Sequence, residues 1–128
     1  MDAEKVIKKV LLVEDDLLIS DILARKLSQS GLHVLHAASG VKAFEVLEKN
    51  IPDVILLDLI LPGMDGFEIL KKLKADKKLA TIPVIILSNI NEPEQMDRAK
   101  ELGAVDYMIK IAVPLEDVVT RVKSLCRA

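Results

Sequence analysis

With 128 residues, the chain suits a single domain, residues 1–128, that can bury a core without disulfides or a structural metal. Hydrophobic residues make up 51% and charged residues 30%, with 18 basic and 20 acidic side chains and a net charge of −2; this is the balance of an ordinary soluble domain, and it argues against bulk nucleic-acid binding while leaving a local basic patch open. The longest apolar runs break at Asp58, Pro62 or Pro83, well short of the ~20 residues of a membrane span, Met1 to Lys9 is too polar for a signal peptide, and the lone Cys126 has no partner for an internal disulfide, which fits a cytoplasmic, reducing setting.

Strand and helix patterns alternate five times. Val10-Leu11-Leu12-Val13 reads as a first strand running into Glu14-Asp15-Asp16. Ile19, Ile22, Leu23 and Leu27 then recur at helical spacing with Asp21, Arg25 and Lys26 between them. Asp16 predicts the N-cap of this helix and Gly31 its stop. His33 to Ala37 is a second strand, and Val41 to Lys49 a helix with Ala43, Phe44 and Leu47 inward, closed by Asn50 and Pro52. Val54-Ile55-Leu56-Leu57 is a third strand ending at Asp58. It leads into the turn-rich Leu61-Pro62-Gly63-Met64-Asp65-Gly66, with Asp65 as a turn residue. Phe67 to Ala75 predicts a helix burying Phe67, Leu70 and Leu73.

Val84-Ile85-Ile86-Leu87 is a fourth strand ending at Ser88. A helix from Glu92 to Leu102 follows, with Pro93 near its start, Gly103 after its end and only a thin apolar stripe of Met96, Ala99 and Leu102. Tyr107-Met108-Ile109 ends at Lys110. The last helix, Pro114 to Arg127, carries Leu115, Val118, Val119, Val122 and Leu125 on one face.

Short continuous apolar runs suit strands buried on both faces of a parallel sheet, and their alternation with helices predicts an α/β fold with right-handed crossovers. Five strands suit the flavodoxin-like order 2-1-3-4-5, whose first and third strands flank the crevice where ligands bind. Glu14, Asp15 and Asp58 fall at those two strand ends, and Ser88 and Lys110 at the next two. Acids, a hydroxyl and an amine around one pocket can hold a divalent cation and a phosphoryl group. Taken singly, Asp58 suits a helix cap or loop acid, Glu14 and Asp15 a solvated strand end, and Ser88 a loop hydroxyl. Asp16 is read as a cap, His33 and His36 as structural, and Cys126 as an inert, partly packed side chain.

Together, from Lys9 to about Leu125, these residues resemble a response-regulator receiver domain of two-component signalling. The resemblance rests on Glu14-Asp15, Asp58 after its strand, the loop Leu61 to Gly66, Ser88, Gly103-Ala104 before the fifth strand, and Lys110. It implies that Asp58 accepts a phosphoryl group from a phosphohistidine on a sensor histidine kinase or phosphotransfer protein. It implies Mg²⁺ held directly by Asp15 and Asp58, through a water by Glu14, and by the backbone carbonyl of Ile60. Lys110 would pair with Asp58 and then with a phosphoryl oxygen, while Ser88 donates to another.

On phosphorylation, Ser88 would draw the loop after its strand inward and Tyr107 would turn in behind it. The surface around the fourth helix, fifth strand and fifth helix would change. The protein would be a regulator that assists its own phosphotransfer and dephosphorylation, not an enzyme acting on other substrates. It would act on an unidentified downstream protein, with no direct nucleic-acid or membrane contact and with scope for a phosphorylation-dependent homodimer. The charged start at Met1 favours a stand-alone regulator over a receiver cut from a longer protein.

The chain departs from the family pattern in four places. Proline usually follows the lysine, through a cis bond; here Ile111 follows, and Pro114 comes three residues late. A trans Lys110–Ile111 bond is therefore expected, with Ile111-Ala112-Val113 as a longer route into the last helix and Val113 as a poor N-cap. Asn89 stands where Ala or Gly is usual. Ile60 and Ile90, each two residues past a site residue, cannot orient an attacking water, which predicts slow loss of phosphate.

Three other readings each meet an obstacle in the sequence. A haloacid-dehalogenase-like phosphatase needs an acid two residues after its nucleophile, where Ile60 stands. A flavodoxin needs a Ser/Thr/Gly-rich phosphate loop after the first strand. A pseudo-receiver that has lost phosphorylation is at odds with the intact Glu14, Asp15, Asp58 and Lys110.

Overall fold

The structure, a computed structural model, describes residues 7–126. The predicted end of the last helix at Arg127 lies outside that range. Ten elements alternate along the chain: β1 (Lys9–Val13), α1 (Leu17–Gln29), β2 (His33–Ala37), α2 (Gly40–Lys49), β3 (Val54–Leu57), α3 (Gly66–Ala75), β4 (Val84–Ser88), α4 (Pro93–Glu101), β5 (Asp106–Ile109) and α5 (Leu115–Leu125). The strands form one parallel sheet in the order β2-β1-β3-β4-β5, as the alternating pattern predicts. No helix among the described residues is long and apolar enough to cross a membrane.

Strand side chains alternate between two buried layers. Leu11, Val13, Ile55, Leu57, Val84 and Ile86 face α2, α3 and α4, where Leu47, Leu70 and Leu73 meet them. Val10, Leu12, Val54, Leu56, Ile85 and Leu87 face α1 and α5 and pack on Leu23, Leu27, Val118 and Val122. Burying each such side chain contributes about 1.5–3 kcal/mol, so the central strands are anchored from both sides. Their carboxyl ends are correspondingly rigid.

Local chemistry sets the helix ends. Asp16 caps α1 by accepting the N–H groups of Leu18 and Ile19 (3.0 and 3.1 Å). Ser39 caps α2 through Lys42 N–H. Asp65 is more than a turn residue: it is the N-cap of α3 and accepts Glu68 N–H at 3.0 Å. Gly31 and Gly103 take positive φ just past α1 and α4, as left-handed helix ends require.

Two helices differ from expectation. Ile22, placed in the apolar pattern of α1, is 45% exposed; the helix buries Ser20, Leu23 and Leu27 and turns Leu17, Leu18 and Ile22 outward. In α5, Pro114 is the N-cap rather than a helical residue, and no side chain caps the first turn. Glu116 and Asp117 in that turn supply charge complementary to the helix dipole instead. The expected trans Lys110–Ile111 bond is present. The residues after it fold into a turn closed by Ala112 and Val113 N–H groups on the Ile109 carbonyl (3.0 and 2.9 Å).

Two contacts invisible to periodicity hold the loops. Lys74 Nζ donates to the carbonyls of Ala80 and Ile82, both at 3.0 Å, and its stem packs against Gly103. Gly66 lies against the backbone of Asp58 and Leu59: a Cβ there would overlap the Asp58 carbonyl oxygen and Leu59 Cα. Gly66→Ala should therefore destabilise the fold by about 1–3 kcal/mol, the usual cost of forcing one extra carbon into a packed site, and shift the Asp58 and Leu59 amide resonances. Urea unfolding and a ¹⁵N spectrum check this. An unchanged midpoint with unmoved resonances would mean that the loop has room to spare.

Candidate functional site

The register of the sheet brings the polar strand ends together. Val13 pairs with both Ala37 and Leu57. The ladder runs one residue further on each side, with Glu14 N–H on Ala37 O (3.0 Å) and Asp58 N–H on Val13 O (3.1 Å). Ser88 ends β4 opposite Ile109, and Lys110 N–H reaches Ser88 O at 3.0 Å. Glu14 and Asp58 are therefore buried, at 2% and 6% exposure, while Asp15 is exposed at the rim.

The Lys110 ammonium lies 2.5 Å from Glu14 Oε1 and 2.7 Å from Asp58 Oδ2. The sequence predicts the Asp58 contact; the Glu14 contact is additional. Asp58 Oδ1 accepts the N–H groups of Leu59 (2.7 Å) and Ile60 (3.3 Å). Glu14 Oε2 accepts Asp16 N–H at 3.0 Å, and His36 Nε2 stands 2.7 Å from the Glu14 carbonyl oxygen.

Glu14, Asp15 and Asp58 each offer a carboxylate oxygen within 4.8 Å of the others. An all-oxygen set of this kind suits a hard divalent cation. Three carboxylates against one ammonium leave a formal charge of −2, which that cation would balance. Burial pushes the Glu14 carboxyl above its ordinary value, and the neighbouring Asp58 charge adds to this, against the opposing pull of Lys110 and Asp16 N–H. Burial alone would lower Lys110, but the two carboxylates outweigh it and hold the ammonium above its ordinary value.

Ser88 is fully buried, and its Oγ accepts Ile90 N–H at 3.3 Å. Tyr107 is expected to turn inward on phosphorylation, yet it already lies inward here: the ring is 8% exposed and its hydroxyl donates to Ile90 O at 2.6 Å. A buried phenol takes a partner when one is in reach, and the Ile90 carbonyl provides it. Burial raises the Tyr107 hydroxyl above its ordinary value. Both backbone groups of Ile90 are thus tied to the two residues proposed as the switch. No side-chain pattern marks this role, and only the spacing of Ser88 and Ile90 hints at it.

The Ile60 side chain points outward, 65% exposed, at the rim beside Asp58. Asn89 Oδ1 accepts Ile111 N–H at 3.0 Å and links the loops after β4 and β5. His33 is exposed, and Cys126 is buried with its thiol pushed up by that burial. A cavity of about 580 Å³ lined by Leu17, Leu18, Ser20, Asp21, Ala24 and His36 adjoins the site along α1. A further cavity of about 620 Å³ lies elsewhere, between α2 and the segment after α3 around Phe44, Ile51 and Leu79.

Residues 10–123 match the family model described as the response regulator receiver domain. Sporulation initiation phosphotransferase F of Bacillus subtilis is 37% identical over 103 residues, covering 80% of this chain and 82% of its own length. The DNA-binding dual master transcriptional regulator RpaA of Synechocystis sp. is 34% identical over 119 residues, covering 93% of this chain but 49% of its own length. The chain thus spans about half the length of that regulator. Among solved structures, the signal receiver domain of a signal transduction histidine kinase from Syntrophus aciditrophicus superposes with a TM-score of 0.85 at 32% identity, covering 93% of this chain and 89% of its own.

The electrostatics of Glu14 carry a pH dependence. A carboxyl whose pKa is raised on folding is more costly to ionise in the folded state. Its charge therefore subtracts stability at pH values above the raised pKa, and the loss disappears as pH falls through that value towards 4.5. Glu14→Gln should stabilise the metal-free protein at pH 7, and the gain should vanish as pH falls to about 4.5. Thermal unfolding across that range reads it. A destabilised variant at pH 7 would mean that the pair with Lys110 outweighs burial.

Proposed function

The chain belongs to the response regulator receiver domain family, and from that premise we propose that it is a phosphorylation-activated signalling switch with Asp58 as its phosphoacceptor. One observation carries the reading: Glu14, Asp15, Asp58 and Lys110, from three strand ends, converge on one pocket with more negative than positive charge. Asp58 is buried and bound to the ammonium through one oxygen while the Leu59 and Ile60 N–H groups orient the other; Glu14 is held in the same manner but by the single N–H of Asp16.

In the proposed reaction an Asp58 carboxylate oxygen attacks the phosphorus of a phosphohistidine. The O–P bond forms as the N–P bond breaks, and the imidazole leaves with its electron pair. Asp15 and Asp58 would hold Mg²⁺ directly, Glu14 through a water, and the Ile60 carbonyl would complete the protein's share. When bound, Mg²⁺ offsets the repulsion between an anionic nucleophile and an anionic phosphoryl group. Lys110 keeps its proton and turns from Asp58 to a phosphoryl oxygen, and the Ser88 hydroxyl leaves Ile90 N–H to donate to another.

Freed from Ser88, Ile90 and the loop into α4 take a second position, with Tyr107 as the packed wall behind it. The shifted surface is that of α4, β5 and α5, the surface through which a downstream protein or a second phosphorylated copy would be met. This is population shift between two arrangements, and α4, with only Ala99 buried, is lightly anchored.

The phosphoryl donor is a histidine kinase or a phosphotransfer protein. The name of the sporulation phosphotransferase supports that class of partner, and exposed Leu17, Leu18, Ile60 and Ile111 offer apolar contact for docking. The chain assists its own phosphotransfer without acting on other substrates, and it works in the cytoplasm without direct nucleic-acid contact. Ile60 and Ile90 have no side-chain group to orient an attacking water, so phosphate is lost slowly.

Incubation with acetyl phosphate and Mg²⁺, followed by intact mass, tests the proposal. Wild type should gain one phosphoryl group, and Asp58→Asn none. An adduct persisting in the variant would assign the acceptor elsewhere. After acetyl phosphate is removed, the adduct should outlast a time course of minutes, and loss within seconds would contradict the slow-release reading.

A further inference from the structure

We propose that Asn89 is a positioning residue that couples the loop carrying Ser88 to the loop carrying Lys110, so that displacement of the first on phosphorylation moves Ile111-Ala112-Val113 as well. The proposal rests on the phosphoacceptor reading above. The last backbone bond between β4 and β5 is Lys110 N–H on Ser88 O, at 3.0 Å. Beyond it the chains part. Ala112 and Val113 N–H groups close a turn on Ile109 O, and the Ile111 N–H is used by neither the ladder nor that turn. Asn89 Oδ1 takes it at 3.0 Å.

This bond requires two residue types at once. A proline at 111 has no N–H to give, and an alanine at 89 has no oxygen to receive it. The Asn after the switch serine and the non-proline after the lysine are therefore one feature in two places. Asn89 also sits between two constrained neighbours. Ser88 is fully buried and holds Ile90 N–H, while Tyr107 holds Ile90 O. A shift of Ser88 cannot leave Asn89 in place, and its amide carries the shift to Ile111. The Ile111 side chain is 83% exposed, so the moved segment presents an apolar group to solvent. The signal thus reaches the loop after β5 by a route that does not pass through the Tyr107 ring.

NMR of the full chain as wild type, N89A and N89D tests this, with beryllofluoride and Mg²⁺ as the phosphoryl mimic. Without the mimic, amide exchange at Ile111 should quicken by roughly two- to tenfold in N89A, the range expected for losing one ordinary hydrogen bond. It should stay near the wild-type rate in N89D, which keeps an acceptor. With the mimic, wild-type resonances should move at Ser88 to Ile90 and at Ile111 to Val113. In N89A the first group should still move and the second should not. Unaltered exchange at Ile111 in N89A, or an Ile111 to Val113 response equal to that of wild type, would overturn the coupling. Absence of any response at Ser88 to Ile90 in the wild type would overturn the phosphoacceptor reading, and the coupling with it.

Discussion

The arrangement depends on one ammonium group shared by two buried carboxylates. Lys110, from the end of β5, reaches across the mouth of the sheet to Asp58 after β3 and Glu14 after β1. Without it, two negative charges at 6% exposure or less would face one another, an arrangement that folding tolerates poorly. Lys110 is therefore the cation that balances the two buried carboxylates. One positive charge against Glu14, Asp15 and Asp58 leaves the pocket short of charge, and the raised Glu14 carboxyl follows from burial under that shortage. The same shortage is what a divalent cation would relieve.

That geometry is a product of the sheet. Parallel strands send all their carboxyl ends to one edge, and the order β2-β1-β3-β4-β5 leaves β1 and β3 as neighbours at the point where the chain's direction of travel reverses. Apolar layers on both faces fix the strands in depth. Gly66 lets the loop after β3 lie directly on the Asp58 backbone. Ile90 is held by Ser88 and Tyr107, Asn89 holds Ile111, and α4 rests on buried Ala99, half-buried Met96 and an Arg98 guanidinium 4.1 Å from the centre of the Phe67 ring. The packed strand ends hold the acids and the lysine, and the segments beyond them are more lightly held.

Much of this was legible in the sequence for identifiable reasons. Strands buried on both faces must be apolar throughout, so their polar ends stand out. That is why Glu14, Asp15, Asp58, Ser88 and Lys110 could be named together and the strand order inferred. Asp16 was legible because an acid before a helical pattern is a cap. Ile22 is exposed although it lies in the apolar pattern, because periodicity reports a stripe and not its width: the apolar stripe of α1 extends beyond what the sheet covers. Asp65 was read as a turn because capping depends on where the helix starts, which periodicity leaves uncertain by a residue or two. Contacts between residues distant in sequence left no trace, among them Lys110 with Glu14, Tyr107 with Ile90, Asn89 with Ile111, and the Lys74 stem against Gly103. They depend on side-chain reach in a finished fold.

If Lys110 balances the charge of Glu14 and Asp58, Mg²⁺ must compete with it for them. A calorimetric titration of Mg²⁺ into wild type and Lys110→Met at low ionic strength measures that competition. Removing a like charge a few ångströms away in a half-buried site should tighten Mg²⁺ binding by roughly tenfold or more. An affinity that is unchanged or weaker in Lys110→Met would show that the ammonium does not compete with the metal for these carboxylates, and would contradict the account at its root.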